Sequence, residues 1–527
     1  YTNRVFKRGD NIPECNFYNQ RQMKALIPVS PAAMANWKEF ARKWMTHKNP
    51  YTGMTWGDDP ALFAVNLINE EALIGQWGTT PESIKLYRER FAQWKRKNNI
   101  KGGNTSSSDH IFCRFLNELQ TRTLQEQIRF VKHDLKLKCM VTSLNNRTEI
   151  GVTLMRNLFD LVDNHSYFEH PAFVEQLWRL PFRYRQRSAI AQLAVVPARM
   201  MPTRIFGKPF IVTEFNYCNP NIFRAEGGPL MGAYAALQNW DALYRFTWSH
   251  SRDSIKYLSP SRGFDAVNSP MAQLADRISI AMFVRRDVKA SKKKFSYMIS
   301  PKMFEEQLPL NYPRNFDELG LIAQIGSNVI GDKLPTGVNP VSVADAGDPD
   351  KLGDKKVGAA WEKVVKDKLA VSTTGQIVLN AKKLNFKVVT PLSESITLAK
   401  DSLQAGVMSV SNADGFQTVA AISLDRKPLR ESKRILVIQL TNVANTKMHF
   451  ADQKFNVLKE YGKLPLLIRN YSSTVEFAGT GPFKVEALSA DGKVRGSVKG
   501  MMRDGKFSFR VAPGCFPGGV MAYYLTR

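Results

Sequence analysis

Cysteine is scarce in this sequence. Cys15, Cys113, Cys139, Cys218 and Cys515 are the only five in 527 residues, and none stands in a CxxC spacing. That scatter excludes a zinc-finger array and a dense disulfide framework; it fits buried thiols acting as small hydrophobes. Long apolar runs are missing too. The densest, such as residues 189–196, fall far short of the ~18 residues of a membrane-spanning helix, so no membrane partner is expected. There is no internal repeat of fixed period, no RNP-type aromatic motif and no compact basic arm, and nucleic acid is not the expected partner. Acidic residues are in deficit: 47 Asp and Glu face 74 Lys and Arg, a formal net charge of +27. A surface of that sign attracts polyanions, among them acidic or sulfated polysaccharides. The cations are spread along the chain, however, as on a generally basic surface. No signal peptide is visible, and the sequence opens on Tyr1 rather than Met, as it would after removal of a leader.

What is present suits a large globular protein. Hydrophobic residues make up 43% and charged residues 23%, enough apolar content for a sizeable core. The length allows roughly three domains. Residues 1–290 alternate helical and strand-like patterns, the mark of an α/β fold. Ser30-Pro31 opens a helix expected to run to Thr46, with Ser as N-cap and Pro in the first turn. Thr80-Pro81-Glu82 opens another, in which Ile84, Tyr87, Phe91 and Trp94 share one face. A third fits residues 108–135, with Ile111, Phe115, Leu119, Leu124, Ile128 and Val131 facing inward. Short apolar runs at 62–68, 138–142, 159–162, 209–213 and 242–247 read as buried parallel strands. Residues 291–370, with Lys292-Lys293-Lys294 and a Gly/Asp/Lys-rich stretch from Gly331 to Lys356, read as a basic connecting segment or small subdomain. Residues 371–527 read as an all-β sandwich. Its strands are expected at 376–379, 386–389, 435–440, 466–468, 474–477, 484–488, 507–511 and 520–525, with hairpin turns at Asp491-Gly492 and Asp504-Gly505.

The chemistry-bearing residues stand where the apolar runs end. Asn69-Glu70 follows the run 62–68, and Asp163-Asn-His165-Ser-Tyr167 follows 159–162. Thr213-Glu214 ends 209–213, and Trp248-Ser249-His250 ends 242–247. In a parallel barrel, reactive groups sit at the C-terminal ends of strands. Each motif alone is common; the four in this order are far more specific. One strand, 138–142, separates the Asn-Glu strand from the His strand, and the His strand immediately precedes that of Glu214.

This order resembles the clan-A retaining glycoside hydrolases. There an Asn-Glu carrying the acid/base follows barrel strand 4, a His-x-Tyr follows strand 6, the nucleophilic Glu ends strand 7 and an aromatic residue closes strand 8. The stretches His47-Lys-Asn-Pro-Tyr-Thr-Gly53, Asp58-Asp-Pro-Ala61, Lys208-Pro-Phe-Ile-Val-Thr-Glu-Phe-Asn216 and Ala235-Ala-Leu-Gln-Asn-Trp-Asp241 look like a bacterial group of such enzymes, similar to glycoside hydrolase families 5 and 42. The resemblance covers most of 1–290 and more loosely 371–527. It implies a (β/α)8 TIM barrel over 1–290, represented by strands 4 to 8, and a retaining hydrolase of β-linked glycans. Glu70 would be the acid/base and Glu214 the nucleophile. Asn69, His165, Tyr167 and Trp248 would bind substrate, with no metal and no cofactor. Glu71 is the rival of Glu70, and Glu226 is read as a loop carboxylate supporting the site. Glu70 is expected to be the protonated member of the pair. Only residues 1–61 precede the Asn-Glu strand, so strands 1 to 3 are unaccounted for: a truncated or cleaved chain, a second polypeptide that supplies them, or numbering that starts inside the gene product would each explain this, and Arg4 is a candidate for the strand 3 loop. The implied partner is an oligo- or polysaccharide, anionic if the charge serves recognition, with Arg179, Arg183, Arg185 and Arg187 as candidate capture residues. The implied location is secreted or periplasmic, and association with further copies of the chain is left open. The competing reading is a non-catalytic carbohydrate-binding or polyanion-binding scaffold.

Overall fold

A computed structural model describes residues 6–15 and 19–527; Arg4 lies outside them. The expected helices form where their end signals stand. Ser30 caps Pro31–Met45 by accepting from the Ala33 N–H. Thr80 and Ser83 form a reciprocal capping box at the head of Pro81–Lys97, with Tyr87, Phe91 and Trp94 buried. The third helix starts one turn signal later than expected. Asp109, whose carboxylate accepts from Ile111 and Phe112 N–H, caps His110–Arg129, and a π-turn follows at Phe130–Asp134. These helices meet in one aromatic core, where Phe91 and Phe112 rings lie 5.0 Å apart.

Five parallel strands carry the candidate motifs. Ala64–Asn66 pairs with Met140–Thr142, and Val162–Phe168 pairs with Phe210–Tyr217, which in turn pairs with Ala242–Arg245. The two ladders touch through Asp160, whose N–H donates to Val141 and whose carboxylate accepts the Val141 N–H. Among the described residues these strands form a two-stranded and a three-stranded sheet rather than a closed eight-stranded ring. The strand boundaries also shift. The apolar run before His165 ends at Val162, and the strand proper is Val162–Phe168, so the His-x-Tyr motif lies within it. Glu214 likewise lies inside Phe210–Tyr217. Both strands are buried nearly throughout, so their polar residues lie inside the strands instead of marking their ends.

Residues 291–370 build a three-stranded parallel sheet from Lys294–Ile299, Gln324–Val329 and Val338–Val341, followed by the helix Lys355–Asp367, which packs against Arg314–Leu319 and Leu369–Val371. Its residues Tyr297, Ile325 and Trp361 share a core with Val212, Tyr234 and Phe386, so this stretch packs tightly against both of its neighbours. Beyond it, a nine-stranded and a five-stranded sheet, with every pairing in each antiparallel, share a core that includes Val419 and Val437 from one and Val475 and Phe509 from the other. The Asp504-Gly505 turn joins Gly500–Arg503 to Lys506–Val511, and both residues have positive φ, as a type I′ hairpin requires. A four-stranded sheet links the strand-bearing stretch 1–290 to the C-terminal β region: Ala172–Phe173 pairs with Phe182–Arg183, which pairs with Val457–Glu460, which pairs with His449–Phe450. No helix among the described residues is long and apolar enough to cross a membrane.

Candidate active site

Asn69 and Glu70, just after Ala64–Asn66, come together with His165 and Tyr167 from within Val162–Phe168 and Glu214 from within Phe210–Tyr217. Glu70 has φ +52, a left-handed conformation that costs a non-glycine residue about 1–2 kcal/mol. Three contacts hold it there. Its N–H donates to Asn145 Oδ1 at 2.7 Å, and its carbonyl accepts from Gln76 Nε2 at 2.7 Å and from Lys24 Nζ at 3.2 Å. Asn145 also donates to Asn69 Oδ1 and Asp163 Oδ2, at 3.2 Å each.

A β-bulge sets the other half of the site. In the parallel ladder Asn164 faces Val212, but the next residue, His165, faces Glu214. Thr213 is therefore the extra residue, and the bulge interrupts the alternation that would turn neighbouring side chains to opposite faces. Thr213 and Glu214 consequently both serve His165. Thr213 Oγ1 is 2.8 Å from His165 Nε2, while His165 Nδ1 is 3.0 Å from Glu70 Oε1 and 3.5 Å from Glu214 Oε2. The Thr213 hydroxyl donates to Asp163 Oδ1 at 2.5 Å, which leaves its oxygen to accept the Nε2–H. His165 is thus fixed with its Nε2 proton toward Thr213 and Nδ1 toward the two carboxyl groups. Tyr167 donates its hydroxyl to Glu214 Oε2. One oxygen of each carboxylate and a ring nitrogen of His165 all lie within 4.8 Å of one another.

The two carboxyl groups differ sharply in environment. Burial pushes the Glu214 carboxyl up to about 8, and its Oε1 is buried with no hydrogen-bond partner among the described residues. Burial also acts to raise Glu70, but the hydrogen bond and charge of His165, together with the charges of Lys24 and His170, outweigh it and leave Glu70 below the usual range. The side chain of Glu70 is 35% exposed and that of Glu214 5%. The two shifts run in opposite directions, upward at Glu214 and downward at Glu70. These directions run against the expectation that Glu70 is the protonated member, because Glu214 lies at the dry end of the pair and Glu70 faces Lys24 and His170.

The remaining candidates fall elsewhere. Glu71 is buried, accepts from Ser143 Oγ at 2.5 Å and is pushed up to about 7 by burial; it stands apart from the Glu70–His165–Glu214 cluster. Glu226 is fully buried and ties down a loop, accepting from Ser188 Oγ and from the Ala189 and Ile190 N–H groups. Trp248 follows Ala242–Arg245 with its ring 55% exposed. Arg187 pairs with Glu169 at 3.1 Å; Arg179, Arg183 and Arg185 are exposed and form no ion pair among the described residues. Beside Tyr167 the link sheet carries an aromatic wall. His170 lies 5.4 Å from Tyr167 and 5.4 Å from Trp178, whose side chain is largely exposed. A cavity of about 600 Å3 runs alongside, bounded by Lys24, Trp37, Trp44, Asn66, Asp163 and Tyr244. Sequence reasoning passed over Lys24, Gln76 and Asn145: no local pattern marks them, and each reaches the site from a different element.

No protein-family model matches the chain, and no curated protein matches it. Solved structures that resemble it include the endo-β-1,4-mannanase from Thermotoga petrophila, at 14% identity over 54% of this chain and 60% of that one, with a TM-score of 0.33. The catalytic module of a family 98 glycoside hydrolase from Streptococcus pneumoniae TIGR4, in complex with the LewisY pentasaccharide, matches at 7% identity over 84% of this chain and 88% of that one, TM-score 0.34. A catalytic mutant of Gan42B, a GH42 β-galactosidase from G. stearothermophilus, matches at 10% over 91% and 81%, TM-score 0.32. Likeness at this level assigns neither an activity nor a residue role to the chain.

Proposed function

We propose that this protein is a retaining glycoside hydrolase of β-linked glycans, with Glu214 as nucleophile and Glu70 as acid/base. The observation that carries the reading is the carboxyl pair, whose nearest ligand atoms lie within 4.8 Å of each other. Retention takes a separation of about 5–5.5 Å, whereas inversion leaves room for a water at about 6.5–9.5 Å. On this reading 1–290 is a (β/α)8-type catalytic unit, 291–370 a subdomain and 371–527 an appended β-sandwich. Further parallel strands from a second polypeptide would add beside Ala64–Asn66 and Ala242–Arg245, each of which pairs on one side only among the described residues.

The double displacement needs the proton on Glu70 and the charge on Glu214, and His165, whose Nδ1 faces both, supplies the route. Its Nδ1 takes the proton of the Glu214 carboxyl and passes it to Glu70 Oε1, while Nε2–H stays on Thr213. Glu70 then protonates the leaving oxygen as Glu214 attacks the anomeric carbon, giving a glycosyl ester. In the second half Glu70 takes a proton from water, whose oxygen bonds to the anomeric carbon as the ester breaks. Tyr167 holds Glu214 in line, Asn69 offers its amide to the sugar 2-hydroxyl, and Trp248 and Trp178 offer flat apolar faces to sugar rings. Incubation with a panel of aryl β-glycosides, followed by proton NMR of the first-formed sugar, tests this. The β-anomer should appear first; an α-anomer first, or no turnover of any β-glycoside, refutes it.

A further inference from the structure

We propose that Glu70, His165 and Glu214 also form a binding site for a divalent transition cation of the Zn2+ class, which excludes substrate from the cleft when occupied. The binding stands on geometry alone; only the competition with substrate rests on the catalytic reading.

A tetrahedral zinc ion with His and carboxylate ligands at about 2.0–2.2 Å holds its ligand atoms roughly 3.3 Å apart. Nδ1 of His165 is already 3.0 Å from Glu70 Oε1 and 3.5 Å from Glu214 Oε2. The remaining oxygen–oxygen gap is no more than 4.8 Å, and Glu70 is the exposed arm that can close it. The donors are an imidazole nitrogen and two carboxylate oxygens, a set that suits Zn2+; Mg2+ prefers an octahedral shell of oxygens.

Three further features separate this cluster from the acidic groups common on protein surfaces. The His165 and Glu214 side chains are only 2% and 5% exposed, so two of the three ligands are pre-set and dehydrated. Glu214 Oε1 is buried and has no partner among the described residues. The groups behind the ligands are also in place. The Asp163–Thr213 chain takes the Nε2–H of His165 and turns Nδ1 toward the two carboxyl groups, and Tyr167 steadies Glu214. Metal-binding histidines are oriented in this way by an acceptor on the far ring nitrogen. The three residues are far apart in sequence, so no ligand spacing announces the site.

The test uses the full chain freed of metal with a chelator, titrated with zinc chloride in a calorimeter, with hydrolysis of an aryl β-glycoside followed at increasing Zn2+. Wild type should bind about one Zn2+ that competes with the glycoside, and magnesium chloride should neither bind there nor compete. His165→Ala and Glu214→Gln should each weaken binding at least about tenfold. Thr213→Val, which leaves all three ligands in place, should weaken it about tenfold through loss of the Nε2–H acceptor. If His165→Ala misfolds, the other two variants carry the test. Zn2+ bound equally well by Glu214→Gln and Thr213→Val overturns the proposal, as does glycoside hydrolysis with no Zn2+ binding. Zn2+ binding that tracks these residues in a protein that hydrolyses no glycoside would instead sink the catalytic reading and leave the cation site standing.

Discussion

At the scale of single residues the account turns on His165. Thr213 and Asp163 hold its Nε2 proton, and on the proposed reading Nδ1 alone moves a proton between the carboxyl groups. Thr213→Val should therefore lower kcat by about 10- to 100-fold with little change in KM, and should move the pH–rate profile, because the imidazole can then flip its tautomer. A loss confined to thermal stability, with the profile unmoved, would assign Thr213 a structural role only. Glu70→Gln should cost about 10²–10⁴-fold on substrates with poor leaving groups, the range of general acid catalysis, and far less on activated aryl glycosides. Equal losses on both kinds of substrate would remove Glu70 from the acid's role. Asn69, Glu70, His165, Tyr167 and Glu214 were legible in the sequence because each sits beside an apolar run in a telling order. Lys24 and Asn145 were not, since they meet Glu70 across 46 and 75 residues of chain.

At the scale of elements, end signals were the most readable feature and polar strands the least. Ser30-Pro31 and Thr80-Pro81 mark helix starts to the residue. Ser393–Leu398 and Gln417–Ser423 went unread, although both are buried along their whole length. Their buried Ser, Thr and Gln side chains, with Thr397 Oγ1 bonded to Thr418 Oγ1 at 2.7 Å and Gln417 Oε1 accepting from Gln439 Nε2 at 2.8 Å, hide them from an apolar-pattern reading. The bulge at Thr213 is equally silent in sequence, yet it aligns Glu214 with His165. The capping box gives a direct test. Thr80→Ala removes the acceptor for the Ser83 N–H at 3.1 Å and should cost about 1 kcal/mol in urea unfolding; an unchanged midpoint would show that packing of Tyr87, Phe91 and Trp94 alone fixes this helix.

At the scale of the whole molecule, buried acids and excess cations make distinct predictions. Glu226 is fully buried, and burial raises its folded carboxyl to about 7. The folded state therefore holds this proton more tightly than the unfolded chain. The stability it contributes is complete below the unfolded value of about 4.3 and is lost as pH rises through about 7. Glu226→Gln should gain stability relative to wild type between pH 5 and pH 8 in thermal melts; parallel curves would mean that the side chain is ionised in both states. The net charge of +27 predicts a salt effect. Arg179, Arg183 and Arg185 are exposed beside the link sheet, so kcat/KM on a sulfated or uronic-acid glycan should fall as salt rises through the range where the Debye length drops below about 10 Å. A flat response, with neutral glycans preferred, would leave the charge with no part in recognition.

The most direct test of the central claim is the stereochemistry of azide rescue on an activated aryl β-glycoside. In Glu214→Ala, azide takes the place of the missing nucleophile and attacks once from the far face, so the product should be the inverted α-glycosyl azide. In Glu70→Ala the ester on Glu214 still forms, and azide should release it from the near face as the β-glycosyl azide. Those two products from those two variants are the predicted result. The same azide from both, an exchanged pair, or wild-type hydrolysis by Glu214→Ala would contradict the assignment.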